Sequence, residues 1–153
     1  MSEHHATVIW SRGDAAFVDN RYNRAHEWRF DGGAVVGAAA SPHNVRAPFT
    51  DPSRVDPEEA LVASVSSCHM LWFLSIAAKR RVVIESYEDA AVGVLGPNAA
   101  GKMAIVRVVL RPRIVLGPGS SLTEADLAQI HHEAHEECFI AHSIVAEVVV
   151  EPR

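Results

Sequence analysis

The sequence predicts an α+β fold, with strands segregated from two helices rather than alternating with them. Three observations carry that expectation. The N-terminal part is strand-rich and turns at Asp31-Gly32-Gly33. A long helical stretch opens at Asp56-Pro57. Two apolar, alternating stretches then precede a second helix and a closing strand, for an order β-β-β-α-β-β-α-β. The chain has 153 residues, which fits one domain over 1–153.

Thr7–Trp10, Ala25–Phe30 and Ala34–Ala40 read as three strands of an N-terminal β-meander. Residues 41–55 are rich in Pro, Ser, Asn and Asp, and ordered loops of such length often carry function. At the first helix Asp56 is a good N-cap, Pro57 suits the first helical position and Glu59 reaches back to the cap. Leu61, Val65, Cys68, Leu71, Trp72 and Ser75 follow at helical spacing. Ala60, Ala63, Ser64 and Ser67 are small enough for a second helix to approach closely. Val82–Leu95 and Met103–Leu116 read as two long strands joined around Gly96-Pro97-Asn98, with Pro112 marking an edge or bulge. Thr123 and Asp126 form a capping pattern for a helix carrying Leu127, Ile130 and Ala134. Residues 143–150 close the fold as a strand.

Composition narrows the function. The chain is 48% hydrophobic and 22% charged, as expected of an ordered globular protein. Fourteen basic against nineteen acidic residues give a formal charge of -5, the wrong sign for a chain that grips nucleic acid by its phosphates. The longest apolar stretch, Leu61–Ala78, is interrupted by Ser64, Ser66, Ser67, His69 and Ser75, so no membrane span is expected. The N-terminus lacks the cationic start and apolar run of a signal peptide, which points to a cytoplasmic protein.

There are two cysteines, Cys68 and Cys138, too few for a disulfide scaffold. Taken singly, each is most simply a small buried hydrophobe. Taken together, each sits on one of the two helices, and packing of those helices would bring the sulfurs together. Thiol chemistry would follow: a thiolate attacks an electrophilic oxygen, becomes a sulfenic acid and condenses with the second thiol to a disulfide. The attacking cysteine needs a nearby cation to lower its pKa.

Residues 55–63, Val-Asp-Pro-Glu-Glu-Ala-Leu-Val-Ala, followed by Ser66-Ser67-Cys68-His69-Met70, resemble the OsmC/Ohr family of osmotically inducible and organic hydroperoxide resistance proteins. Glu58 to Cys68 has the family's ten-residue spacing, and Glu136-Glu137-Cys138-Phe139-Ile140 matches the position of its second cysteine. The resemblance covers nearly the whole chain. It implies the OsmC-like fold, an intertwined homodimer with shared active sites, and a thiol-dependent peroxidase for organic hydroperoxides. Cys68 would be the peroxidatic cysteine and Cys138 the resolving one. Glu58 would orient an arginine from the N-terminal strands, with Arg24 the best match, Arg21 next, and Arg29 and Arg54 behind them. The chain departs from the best-known members at His69-Met70, at Phe139 where a proline would stand, and in Tyr22-Asn23-Arg24-Ala25-His26, which marks a separate branch.

Ten residues of helix put Glu58 about 15 Å from Cys68 along the axis. Either the arginine bridges a long gap or Glu58 comes from a second subunit. Trp72, one turn after Cys68, is placed to line an apolar pocket for the substrate. His69 and His26 are candidates for substrate binding or thiolate tuning, and otherwise partly buried structural histidines. No Gly-rich nucleotide or flavin fingerprint is present, so no cofactor is expected and an external thiol reductant must restore the dithiol. Two rival readings stand beside the peroxidase. His131, His132, His135 and Cys138 could bind metal, although His132-Glu133-Ala134-His135 is one residue short of the zincin pattern. The fold could also serve as a small-molecule binding module whose cysteines never cycle.

Overall fold

A computed structural model describes all residues, Met1–Arg153. The chain divides into two compact units, Met1–Ala60 and Leu61–Arg153.

The first unit is the expected meander: β1 (Ala6–Ile9), β2 (His26–Phe30) and β3 (Val35–Ala38), antiparallel in that order. Val8 faces Trp28, and Trp28 faces Val36. The β2–β3 turn is closed by Gly33 N–H on the Phe30 carbonyl, and Gly33 takes φ +87°, where a side chain would be strained. Residues 41–55 run back beside β3 and make a parallel bridge from Val55 to Ala38. Helix α1 (Pro57–Lys79) begins as predicted. Asp56 Oδ1 accepts from Glu59 N–H at 2.7 Å, and Glu59 Oε2 accepts from Asp56 N–H at 3.0 Å, a reciprocal capping box.

In the second unit the two long predicted strands are each broken. Val82–Leu95 becomes β4 (Ile84–Asp89) and β5 (Val92–Pro97), and Met103–Leu116 becomes β6 (Met103–Leu110) and β7 (Pro112–Leu116). The reason is a corner. Pro112 has no N–H to give a ladder, and Asp89 Oδ1 takes the Arg111 N–H at 2.6 Å in place of a strand partner. One antiparallel ribbon thus serves two sheets, β4–β7 and β5–β6–β8, in which β8 (Glu147–Val150) runs parallel to β6.

Helix α2 (Glu124–Glu137) carries the predicted Thr123–Asp126 capping box. A short helix α3 (Phe139–His142) follows it, which the sequence did not separate from α2. α1 packs Phe73, Ile76 and Ala77 on Ile130 and Ala134 of α2. Its Val65 packs on Val108 and Leu110 of β6. By length and composition α1 passes as a membrane-crossing helix, against the sequence expectation. Its Val65, His69, Phe73, Ile76 and Ala77 are nevertheless buried, as in a core helix.

The seat of α1 on β5 depends on Gly93, since a Cβ built there would stand 2.5 Å from Val62 Cγ2. Gly93→Ala therefore forces the helix away from the sheet and is expected to cost about 1–3 kcal/mol. A denaturant midpoint equal to the parent's would refute this seating.

Candidate functional site

The site is built where α1 and α2 meet. Cys68 lies mid-α1, half-buried, and Cys138 is the hinge residue between α2 and α3 with 1% of its surface exposed. Both thiols are free, and Cys68 is near enough to Cys138 to act on its titration. α1 packs on α2, as the sequence reading required for the two cysteines to approach. Cys138 has extended backbone, and its Sγ accepts the Ala141 N–H at 3.4 Å. Burial pushes the Cys138 thiol up to about 11, and the contact with Cys68 adds to this, partly offset by the Ala141 N–H. Cys138 is a thiol, not a thiolate, at neutral pH.

Trp72 packs edge-on against Phe139 with ring centres 5.6 Å apart. It also lines a cavity of about 650 Å³ shared by Ile76 and Lys79 of α1, Arg80 just beyond its end, and His132 and Glu136 of α2. Arg80 is already committed to Glu133 at 2.6 Å.

His69 does not line this cavity. It is 1% exposed, and its Nε2 meets Nδ1 of His131, itself 3% exposed, at 3.0 Å. The ring planes differ by 9° while the ring centres stay 5.3 Å apart, so the rings lie edge to edge and share one in-plane hydrogen bond. His69 Nδ1 and His131 Nε2 find no partner, nor do His135 Nδ1 and the Tyr87 hydroxyl of the same unit. Burial holds both imidazoles down at about 4, and for His69 the neighbouring His131 and His135 lower it further. Both are neutral at physiological pH. This pair was missed by sequence reading. Its only local signal is that each histidine occupies a core position, His69 after Val65 and before Phe73, His131 after Leu127 and before Ala134.

The metal reading loses its geometry here. His131 is spent on His69, His132 faces the open cavity, and no three His, Cys, Asp or Glu side chains converge as a ligand set.

The remaining candidates lie in the N-terminal unit. Arg24 is held by its own loop: its guanidinium donates to the carbonyl of Tyr22 and to Asn20 O and Oδ1 at 2.9 and 2.7 Å, and lies 4.0 Å from the Tyr22 ring centre. Glu58 accepts from Asn44 Nδ2 at 3.3 Å, and Arg24 and Glu58 make no ion pair with each other. Arg21 sits over Phe49, Arg29 pairs with Glu27, and Arg54 pairs with Asp51. His26 Nε2 accepts from Trp28 Nε1 at 3.0 Å, so its Nδ1 carries the proton and donates to Arg24 O at 2.8 Å. Both nitrogens of His26 are thereby used.

A family model described as OsmC-like protein matches residues 50–153. An OsmC-like protein of unknown function from Vibrio cholerae superposes with a TM-score of 0.98 at 56% identity, covering 100% of both chains. The organic hydroperoxide resistance protein OhrB of Bacillus subtilis superposes at 0.71 with 18% identity, over 99% of this chain and 98% of that one. An organic hydroperoxide resistance protein from Elizabethkingia anophelis does so at 0.71 with 15% identity, over 99% and 94%. Comparison with curated proteins finds no match.

The neutral histidine pair has a signature in solution. Its folded-state pKa values lie below the ordinary 6.5, so the unfolded chain binds protons more readily. Its contribution is whole above pH 6.5 and is lost as pH falls from 6.5 toward 4, by about 1.4 kcal/mol per pH unit for each proton taken up. Urea midpoints across that range should fall more steeply in the parent than in a variant with both histidines replaced by leucine. Parallel slopes would show that the pair is not neutral in the folded protein.

Proposed function

The chain belongs to the OsmC-like family, and we propose that it is a thiol-dependent peroxidase reducing organic hydroperoxides. The observation that carries this reading is the nearness of the chain's two cysteines, free and seventy residues apart in sequence, at the α1–α2 crossing.

The Cys68 thiolate attacks the terminal peroxide oxygen. The O–O bond breaks, the alkoxide takes a proton and leaves as alcohol, and Cys68 becomes a sulfenic acid. The Cys138 thiol then attacks the Cys68 sulfur. The S–O bond breaks, the departing hydroxide takes the Cys138 proton as water, and a Cys68–Cys138 disulfide remains. An external thiol restores the dithiol, and no cofactor is required. The raised pKa of Cys138 suits this order, because the resolving sulfur stays protonated until a sulfenic acid stands beside it. The cavity beside Trp72 gives the organic part of the substrate an aromatic wall one helical turn from Cys68.

The working form is a cytoplasmic homodimer, the whole chain acting as one domain, with the active site shared between the two copies and completed by Arg24 and Glu58. The apolar residues left exposed on a single chain, among them Ile9, Trp10, Phe17, Leu71 and Phe139, support a second copy.

Titration of the reduced protein with cumene hydroperoxide tests the reading. The protein should lose about two thiols per chain and gain an internal disulfide, as condensation of a sulfenic acid with a thiol requires. Cys68→Ser should lower peroxide consumption at least about 100-fold, while Cys138→Ser should leave a trappable sulfenic acid on Cys68. Consumption unchanged by both substitutions would instead favour a binding protein whose cysteines do not cycle.

A further inference from the structure

We propose that the His69–His131 bond is the register key that sets Cys68 opposite Cys138, an inference that rests on the two cysteines being the working dithiol. Cys68 and His69 are consecutive on α1 and so point about 100° apart around its axis. His131 lies on α2 and Cys138 caps that helix seven residues on, two turns along nearly the same face. One hydrogen bond between the two histidines therefore fixes the rotation of both helices about their axes at once.

The rest of the seam does not fix it so sharply. Phe73, Ile76 and Ala77 on Ile130 and Ala134 make a non-directional apolar contact. Such packing tolerates rearrangement when total volume is kept. A disulfide does not: its Cα atoms must come within about 4.4–6.8 Å with the Cβ vectors converging.

The pair is costly on stability grounds. Two imidazoles are desolvated, and His69 Nδ1 and His131 Nε2 are left without partners. Buried polar atoms without a hydrogen bond destabilise, and well-packed apolar side chains would serve stability better. Neither histidine lines the cavity, and neither joins a ligand set, so substrate and metal do not account for them. Directional specification of register is the best-attested use of a buried polar pair. The groups that need such a register are the two cysteines, one adjoining His69 and one two turns beyond His131. His69 and His131 are thus positioning residues, acting on the chemistry through the sulfurs.

The test uses glutathione rather than peroxide. The protein is equilibrated over a range of reduced-to-oxidised glutathione ratios, and the fraction holding the Cys68–Cys138 bridge is read by alkylation and mass spectrometry. The double variant His69→Leu with His131→Leu should fold, with a melting temperature at or above the parent's. Its effective concentration of one thiol at the other should fall at least about tenfold, about 30 mV in potential. His69→Gln with His131→Asn, which places amide groups where Nε2 and Nδ1 meet, should return it to within about threefold of the parent, because an amide can supply either the donor or the acceptor. A leucine pair with the parent's effective concentration overturns the proposal, as does a parent that forms no bridge at any ratio. Should the leucine pair not fold, a methionine pair, more adaptable in shape, takes its place with the same expected loss. A parent that forms the bridge with glutathione but consumes no hydroperoxide sinks the peroxidase reading and leaves the register key standing.

Discussion

The packing of α1 against α2 governs the chemistry available to residues 61–153. It excludes water from one seam, and that single cause acts on two kinds of group in opposite directions. Desolvation disfavours whichever form is charged, so the Cys138 thiol is pushed up and the His69 and His131 imidazoles are pushed down. Cys138, His69 and His131 are therefore uncharged at neutral pH. A thiol kept protonated, as Cys138 is, is a weak nucleophile. The histidines, once neutral, form an N–H to N hydrogen bond that two imidazolium ions could not make.

A second constraint holds α1 in place along its length. Asp89, at the end of β4, accepts from Arg111 N–H through one oxygen and from Ser66 Oγ at 2.5 Å through the other. The first contact makes the corner at which the ribbon passes from one sheet to the other. The second ties that corner to α1 two residues before Cys68. One carboxylate thus couples the strand break to the stretch of helix that carries Cys68. Gly93 allows the same helix to lie close on β5, where any side chain would meet Val62.

Features set by local chemistry were legible in the sequence. The capping residues Asp56 and Glu59, and Thr123 and Asp126, are near neighbours whose bonds need nothing from the rest of the chain, and both helices start where they were expected. The Glu58-to-Cys68 spacing was legible because it lies within one helix. The strand breaks were not, since an apolar alternating stretch reads as one strand and the interruption at Asp89 is made by Ser66 and Arg111, twenty-odd residues away in sequence. The histidine pair spans 62 residues, and no local pattern announces a bond of that range. Arg24 shows the converse. As an arginine near the N-terminal strands it matched the expected guanidinium, but its partners in the structure are Asn20 and Tyr22 of its own loop.

The neutrality of the seam also bears on how a thiolate at Cys68 would be stabilised. Along α1 the next cation is Lys79, eleven residues on and so about 16 Å away. Arg80 is held by Glu133, and Arg107, Arg111, Arg113 and Arg153 are paired to surface carboxylates. His69 and His131 supply no charge, because the burial that orients them also keeps them neutral. A thiolate needs a compensating cation close by, and the one cation of the helix bearing Cys68, Lys79, lies three turns away. That shortage is the physical argument for the proposed second copy, whose role would be to bring Cys68 the cation that its own helix lacks.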